Sequence, residues 1–156
     1  MLGAHVADSL SLVPYMPERG LLLDIGSGGG FPAIPLKIVR PGLDVVLVER
    51  SSKKVGFLRK VIGALGLKGV KLVEGEFPVC CRDLRPDVVT ARAVERGNKV
   101  LRQIAKFLPE RARFLCQSGD PEGKLGEMFH VEHVEDGWSW QGLRRGELYI
   151  VTRKKG

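Results

Sequence analysis

Two acidic residues and a run of glycines are the part of this sequence best suited to chemistry. Asp24 ends a short apolar run, the five residues from Gly26 to Gly30 include four glycines, and Glu49 follows 25 residues after Asp24. Glycine takes positive φ without strain and lets the backbone approach a ligand closely. A helix that begins after such a loop offers unpaired N–H groups in its first turn. This pattern predicts a site for a nucleotide-type cofactor.

The glycine spacing separates two cofactor classes. A dinucleotide fingerprint, G-x-G-x-x-G, would need a third glycine where Phe31 stands. The carboxylate of Asp24 would repel a pyrophosphate but attract the ammonium group of an amino-acid cofactor. S-adenosylmethionine carries that ammonium group and no phosphate, so the sequence favours it over NAD.

Glu49 ends the second apolar segment, and an acid at that place can accept hydrogen bonds from both hydroxyls of a ribose. The alternative for Glu49 is a solvated strand end without a ligand. Together with Asp24 and the glycine loop, the acid strengthens the prediction of an S-adenosylmethionine site.

Short apolar segments alternate with amphipathic ones along the chain. The predicted strands are 20–25, 44–49, 70–73, 87–90 and 113–116. The predicted helices are 5–13, a segment that restarts at Pro32 and stops at Pro41-Gly42, 51–65, and about 99–108. A final pair of alternating segments covers about 128–134 and 147–152. Repeated β-α units followed by a hairpin predict a doubly wound, Rossmann-like α/β sheet, mostly parallel and ending in an antiparallel hairpin.

In such a sheet the functional groups lie at the carboxyl ends of the strands. That rule gathers residues distant in sequence onto one edge: Asp24, Gly26 to Gly30, Glu49, Gly75-Glu76 and Ala91-Arg92. We expect these residues to surround the cofactor.

Composition limits the class of protein. A chain of 156 residues predicts one domain, with residues 1–19 as a short lead-in. The net charge of +7 favours an anionic partner, most often nucleic acid, over a charge that serves solubility alone. Three cysteines without a C-x-x-C pair, and no long apolar run, predict a cytoplasmic protein without a disulfide framework or a membrane span.

The acceptor of the methyl group is the next question. The loop that presents exocyclic base amines, Asn/Asp-Pro-Pro-Tyr/Phe, is absent after strand four. Cys80-Cys81 lies in a predicted loop with no activating base nearby, so we interpret these cysteines as structural. Guanine N7 has an in-plane lone pair and needs no general base. Arg92 could hold a phosphate or a guanine edge, or form a structural ion pair.

Three further features of the sequence give weaker indications of a functional site. His130 and His133 would point to opposite faces of a strand, so no metal site is expected. Trp138 and Trp140 could stack on bases but more often form the packed face of a hairpin. The run from Arg153 to Lys155 predicts a solvated tail.

Several motifs resemble the RsmG family of bacteria, also called the glucose-inhibited division protein B family. The motifs are His5-x-x-Asp8-Ser9-Leu10, Leu23-Asp-Ile-Gly-Ser-Gly-Gly-Gly-Phe-Pro-Ala-Ile-Pro-Leu36, Leu47-Val-Glu49 with Lys53-Lys54 and Phe57-Leu58, and Thr90-Ala-Arg-Ala93. The Gly-Phe-Pro-x-Ile-Pro-Leu portion is specific to the family. The resemblance covers about residues 5–120.

The resemblance implies an S-adenosylmethionine-dependent methyltransferase acting on guanine N7 of 16S ribosomal RNA, alone or in the 30S particle. It implies cofactor contacts at Asp24, Gly26, Ser27, Gly28, Gly30, Phe31 and Glu49, and a segment near the adenine at Gly75, Glu76 and Phe77. It also implies that Arg92 lies near the methyl-transfer region, as a cofactor contact and as the catalytic residue. We expect a monomer without a metal, in which the N-terminal helical extension usual in the family is largely missing.

Two alternatives stay open. One is an RNA-binding or assembly module that keeps a residual cofactor pocket. The other is a methyltransferase for a small molecule or a protein on the same fold, against which the charge of +7 argues. Where the family commonly shows Gly-Arg-x-Glu, this chain has Gly75-Glu76-Phe77-Pro78, so backbone contacts are expected there more than side-chain contacts.

Overall fold

A seven-stranded sheet forms the centre of the protein. The computed structural model describes residues 2–91, 99–117, 121, 123–135 and 147–155. The strands are β1 Gly20–Ile25, β2 Leu43–Glu49, β3 Val70–Glu74, β4 Val88–Ala91, β5 Arg113–Cys116, β6 Phe129–His133 and β7 Tyr149–Arg153. Their order is β3-β2-β1-β4-β5-β7-β6, with β1 to β5 parallel and β7 antiparallel to both β5 and β6. The predicted Rossmann-like fold is confirmed.

Helices pack against both faces of this sheet. They are α1 Leu2–Leu10, α2 Ala33–Val39, α3 Ser52–Leu65 and α4 Lys99–Phe107, with short 3-10 helices at Val13–Tyr15 and Val79–Cys81. The limits of α3 follow from its sequence. The Ser51 hydroxyl accepts a hydrogen bond from the Lys54 N–H at 3.4 Å, and Gly66 ends the helix at φ 61°.

Alternating residues of β1 divide the core into two layers. Leu22 faces the layer built with α2 and α3, which also contains Leu36 and Leu58. Leu23 faces the layer built with α4, which also contains Ile104. Burial of both faces explains why the parallel strands are almost wholly apolar.

Two predictions of local structure were wrong, one for the first helix and one for Cys80-Cys81. The first helix ends at Leu10 instead of residue 13. Pro14 has no N–H to donate to the carbonyl of Leu10, so the α-helical pattern stops and the chain continues as a 3-10 helix over Val13–Tyr15. Cys80-Cys81 belongs to a second 3-10 turn, and the side chain of Cys81 is packed in the core instead of lying on a loop.

The C-terminal run also differs from its prediction. Arg153 is not part of a solvated tail, because its guanidinium donates hydrogen bonds to the carbonyls of Leu108 at 3.0 Å and Ala105 at 2.8 Å. It also lies 5.1 Å from the centre of the Phe129 ring. A cation at the last turn of α4 matches the negative end of the helix dipole. Trp138 and Trp140 lie outside the described residues.

None of the helices within the described ranges has the length and apolar character needed to cross a membrane. Across the same residues, no three His, Cys, Asp or Glu side chains are grouped so that they could hold a metal ion. His133 instead contacts Glu147 and stacks on Tyr149 with 4.9 Å between the ring centres.

Candidate functional site

Asp24 lies at the carboxyl end of β1, next to Thr90 on β4. The two residues are in register, and the Thr90 hydroxyl donates a hydrogen bond to Oδ1 of Asp24 at 2.8 Å. Both side chains are 1% exposed. The carboxylate is therefore oriented from the neighbouring strand. The sequence did not single out Thr90 as a site residue, although its place at the end of strand four beside strand one was a usable signal.

The first turn of the glycine loop is fixed to β2. The N–H groups of Gly26 and Ser27 donate to the carbonyl of Val48 at 2.9 and 3.1 Å. The Ser27 hydroxyl donates to the carbonyl of Asp24 at 3.2 Å, and the residue is buried. The two bonds made by Ser27 give it a structural role in the turn, and its contact with a cofactor stays a prediction.

Three glycines of the loop have positive φ and differ in their surroundings. Gly26, Gly28 and Gly30 have φ values of 71°, 51° and 93°. A Cβ at Gly26 would meet nothing within 4 Å, and one at Gly28 would meet only a backbone oxygen at 3.8 Å. A Cβ at Gly30 would lie 2.8 Å from Cγ1 of Ile34. The first two glycines thus border open space that a ligand could fill, whereas Gly30 is required for packing against α2.

Glu49 joins the glycine loop to the start of α3. Its Oε1 accepts a hydrogen bond from the Gly28 N–H at 3.2 Å, and its Oε2 accepts one from the Ser51 N–H at 3.1 Å. The side chain is 5% exposed, so the alternative of a solvated strand end is wrong. A carboxylate has about four acceptor positions, so two backbone donors leave room for hydroxyl donors.

The segment after β3 continues the same edge. The Gly75 N–H donates to the carbonyl of Glu49 at 3.1 Å, and a Cβ at Gly75 would lie 2.8 Å from Cβ of Cys80. Glu76 is exposed and its Oε1 lies 3.9 Å from a guanidinium nitrogen of Arg50. The Phe77 ring meets Phe107 of α4 edge to face, with ring centres 5.1 Å apart. The backbone at Gly75 is therefore the part of this segment bound directly to Glu49.

Helix α1 contributes two contacts beside the glycine loop and β5. The His5 ring lies 5.5 Å from the ring of Phe31, the residue in the third-glycine position. The Gln117 amide donates to a carboxylate oxygen of Asp8 at 3.3 Å, just beyond the carboxyl end of β5. Asp8 and Gln117 were not predicted as site residues. The His5-x-x-Asp8 motif was the available signal.

Cys81 is unsuited to act as a nucleophile. Cys81 is 4% exposed, and its Sγ lies 3.7 Å from the carbonyl of Pro78. Burial, followed by the charge of Cys80 and a hydrogen bond to it, raises the pKa of the Cys81 thiol from 9.0 to about 12. A thiol with that pKa is protonated at neutral pH and is a poor nucleophile.

The described fold thus brings Asp24, Gly26, Gly28 and Glu49 to one edge of the sheet, with Gly75 beside Glu49. Arg92, the predicted catalytic residue, lies outside the described residues.

Comparison with known proteins identifies the family of the chain. Residues 1–126 match the family described as rRNA small subunit methyltransferase G, GidB. The chain belongs to this family. The resemblance stated from the motifs is confirmed over a similar range.

Two relatives illustrate the match. The chain is 36% identical over 129 residues to ribosomal RNA small subunit methyltransferase G of Neisseria gonorrhoeae, covering 82% of this chain and 62% of that protein. It is 36% identical over 121 residues to the protein of the same name from Alkaliphilus metalliredigens, covering 74% and 51%. The chain therefore spans between half and two thirds of the length of these relatives.

A solved structure supports the fold. Precorrin-6y C5,15-methyltransferase from Geobacter metallireducens superposes with a TM-score of 0.65 over 97% of this chain and 87% of its own, at 21% identity. At that identity the likeness concerns the architecture of the sheet and its helices.

Proposed function

We propose that this protein is an S-adenosylmethionine-dependent methyltransferase that transfers a methyl group to N7 of a guanine in small-subunit ribosomal RNA. One observation carries the proposal: one edge of the sheet brings together buried Asp24, buried Glu49 and the open side of Gly26 and Gly28. The chain that has this edge is a member of the family. The net charge of +7 supports an RNA substrate.

The residues present fit the cofactor. Open space beside Gly26 and Gly28 allows a ligand to lie against the loop backbone. Asp24 supplies a buried carboxylate for an ammonium group, and Glu49 supplies acceptor positions for ribose hydroxyls. We extend the proposed contacts to Ser27, Gly30, Phe31 and the segment from Gly75 to Phe77, which the family resemblance implies. When bound, S-adenosylmethionine supplies a methyl group activated by a sulfonium centre.

The chain's own residues then have mainly a positioning task. Guanine N7 offers its lone pair without losing a proton, so no general base is required. Cys81, with a thiol pKa near 12, is not needed as a nucleophile. Catalysis in such a site comes from holding donor and acceptor in line and from the local field. We propose that Arg92 holds a phosphate or the guanine edge at this place.

Two finer properties belong to the same proposal. The chain acts as a single domain and as a monomer, which light scattering of the purified protein would measure. It acts on small-subunit RNA, either free or in the 30S particle, and comparing the two as substrates would separate them.

The decisive experiment uses labelled S-adenosylmethionine and 30S subunits from a strain that lacks the methylation. The expected result is label on one guanine, with the methyl group at N7. Label on a protein or on a different base atom would contradict the proposal. Calorimetry with S-adenosylmethionine and with NAD tests the cofactor separately, and binding of NAD alone would exclude a methyltransferase.

A further inference from the structure

Helix α4 presents a basic face to solvent. Lys99, Arg102 and Lys106 are exposed, whereas Leu101 and Ile104 are buried in the core. The three cations follow at spacings of three and four residues, which places neighbours about 5–6 Å apart along one side of a helix. No acidic residue interrupts this side of α4. The exposed face of α4 is thus a continuous positive stripe.

A groove opens beside the end of that stripe. It has a volume of about 490 Å³ and is lined by Arg82, Arg85, Gln103, Lys106 and Phe107, together with two prolines. We call these five residues and their surface the basic groove. Among the residues that the structure describes, the lining contains three cations and no acid. Asp83 and Glu110 are close in sequence to the lining residues but do not line the groove.

The cations of the groove are available for a ligand. Among the described residues, no ion pair involves the side chain of Arg82, Arg85 or Lys106. Arg85 is held in place by hydrogen bonds to the carbonyls of Arg82 at 3.3 Å and Leu84 at 3.1 Å. One groove cation is therefore ordered by the backbone and two others extend into solvent.

The topology connects this surface to the cofactor edge. Because α4 joins the parallel strands β4 and β5, it runs antiparallel to them and begins at their carboxyl ends. Its nine residues span about 13 Å. The positive stripe thus leads from the edge that holds Asp24 and Glu49 along the side of the molecule to the basic groove.

From these observations we infer that the basic groove and the stripe on α4 form a binding surface for the sugar-phosphate backbone of RNA. Cations spaced along a surface, without acids between them, match the repeated charge of phosphodiesters. The inference rests on the proposed function for the identity of the RNA, but it concerns a surface away from the glycine loop. It gives the chain a means of gripping RNA outside the cofactor site.

A matched pair of variants tests this surface. Arg82→Gln with Lys106→Gln removes one arginine and one lysine from the basic groove. Arg59→Gln with Lys60→Gln removes the same two residue types from exposed positions of α3, which packs on the opposite face of the sheet. Binding of the full chain to a fluorescein-labelled hairpin RNA is measured by anisotropy at several salt concentrations.

For the groove variant we expect affinity for the hairpin about tenfold weaker at low salt, and a slope of log K against log salt smaller by about 1.4–1.8, because two phosphate contacts are lost. The α3 variant is expected to keep both values close to wild type. Unchanged binding of the groove variant, or an equal loss in the α3 variant, would overturn the inference.

Methyl transfer to 30S subunits separates this inference from the proposed function. If the groove variant has a raised KM for the subunit and an unchanged kcat, both are supported. If wild type transfers no methyl group but the groove variant still loses RNA affinity, only the proposed function fails. If wild type is active and the groove variant has the same KM and RNA affinity as wild type, only the inference about the basic groove is contradicted.

Discussion

The backbone N–H of Gly28 donates a hydrogen bond to Oε1 of Glu49 across 3.2 Å. The other carboxylate oxygen accepts from Ser51 at the start of α3. One side chain therefore fixes the glycine loop and the first turn of the next helix while facing the proposed ribose position. Glu49 thus shapes the loop and the start of α3, and under the proposed function it also contacts the cofactor.

Replacement of Glu49 by glutamine tests this double role. The amide keeps the size of the side chain but removes the charge and leaves one acceptor oxygen. We expect affinity for S-adenosylmethionine to fall by about 1–3 kcal/mol, measured by calorimetry. Glu110→Gln, at an exposed position after α4 and outside the proposed contacts, is the control and is expected to bind like wild type. Equal affinities of wild type and Glu49→Gln would remove Glu49 from the cofactor site.

The Thr90 hydroxyl is predicted to orient Asp24 for the cofactor. Thr90→Val preserves the shape and removes the hydrogen bond at 2.8 Å, which lowers the free energy of unfolding by about 1–3 kcal/mol because the acceptor is a buried carboxylate. Affinity for the cofactor is expected to fall as well. Urea unfolding and calorimetry measure the two effects, and Thr90→Ser, which retains the hydroxyl, should restore both. Failure of serine to do better than valine would argue against the hydrogen bond.

Alanine substitutions at two glycines of the loop are predicted to have different effects, one on folding stability and one on cofactor binding. In Gly30→Ala the new Cβ would lie 2.8 Å from Ile34, so the main loss is in folding stability. In Gly26→Ala the Cβ enters open space at φ 71°, which costs about 1 kcal/mol of backbone strain and obstructs the ligand. Thermal unfolding and cofactor titration of both variants are compared. If Gly30→Ala folds normally and loses cofactor binding instead, the packing role given to Gly30 is wrong.

Local patterns predicted the strands, the limits of α3 and the edge that carries Asp24 and Glu49. They succeeded because apolar periodicity and caps such as Ser51 are properties of neighbouring residues. The different roles of Gly26 and Gly30 could not be predicted, since they depend on which residues of α2 and α3 pack beneath the loop.

Contacts between distant segments were also beyond sequence patterns. Arg153 binds carbonyls of α4 that precede it by more than 40 residues, and Gln117 reaches Asp8 in the first helix. Such contacts depend on how the sheet places its two layers. A sequence pattern alone therefore predicts a solvated tail for such a basic run, because the helix that Arg153 caps is not visible in the sequence.

Burial of Cys81 predicts a loss of stability at alkaline pH. Its pKa is raised from 9.0 to about 12 in the folded protein, so the unfolded chain releases the thiol proton at lower pH than the folded one. The stabilisation that comes from this thiol is therefore fully present below pH 9.0. The free energy of unfolding falls as pH rises from there toward about 12, by up to about 1.4 kcal/mol per pH unit. The measurement is the free energy of urea unfolding of wild type and Cys81→Ala across this range. Cys80 interacts with the Cys81 thiol, so the same pair is also measured with Cys80→Ala in both proteins. The remaining groups then titrate alike in both, and the difference isolates the Cys81 thiol. That difference should shrink as pH rises, and a constant difference would contradict the raised pKa.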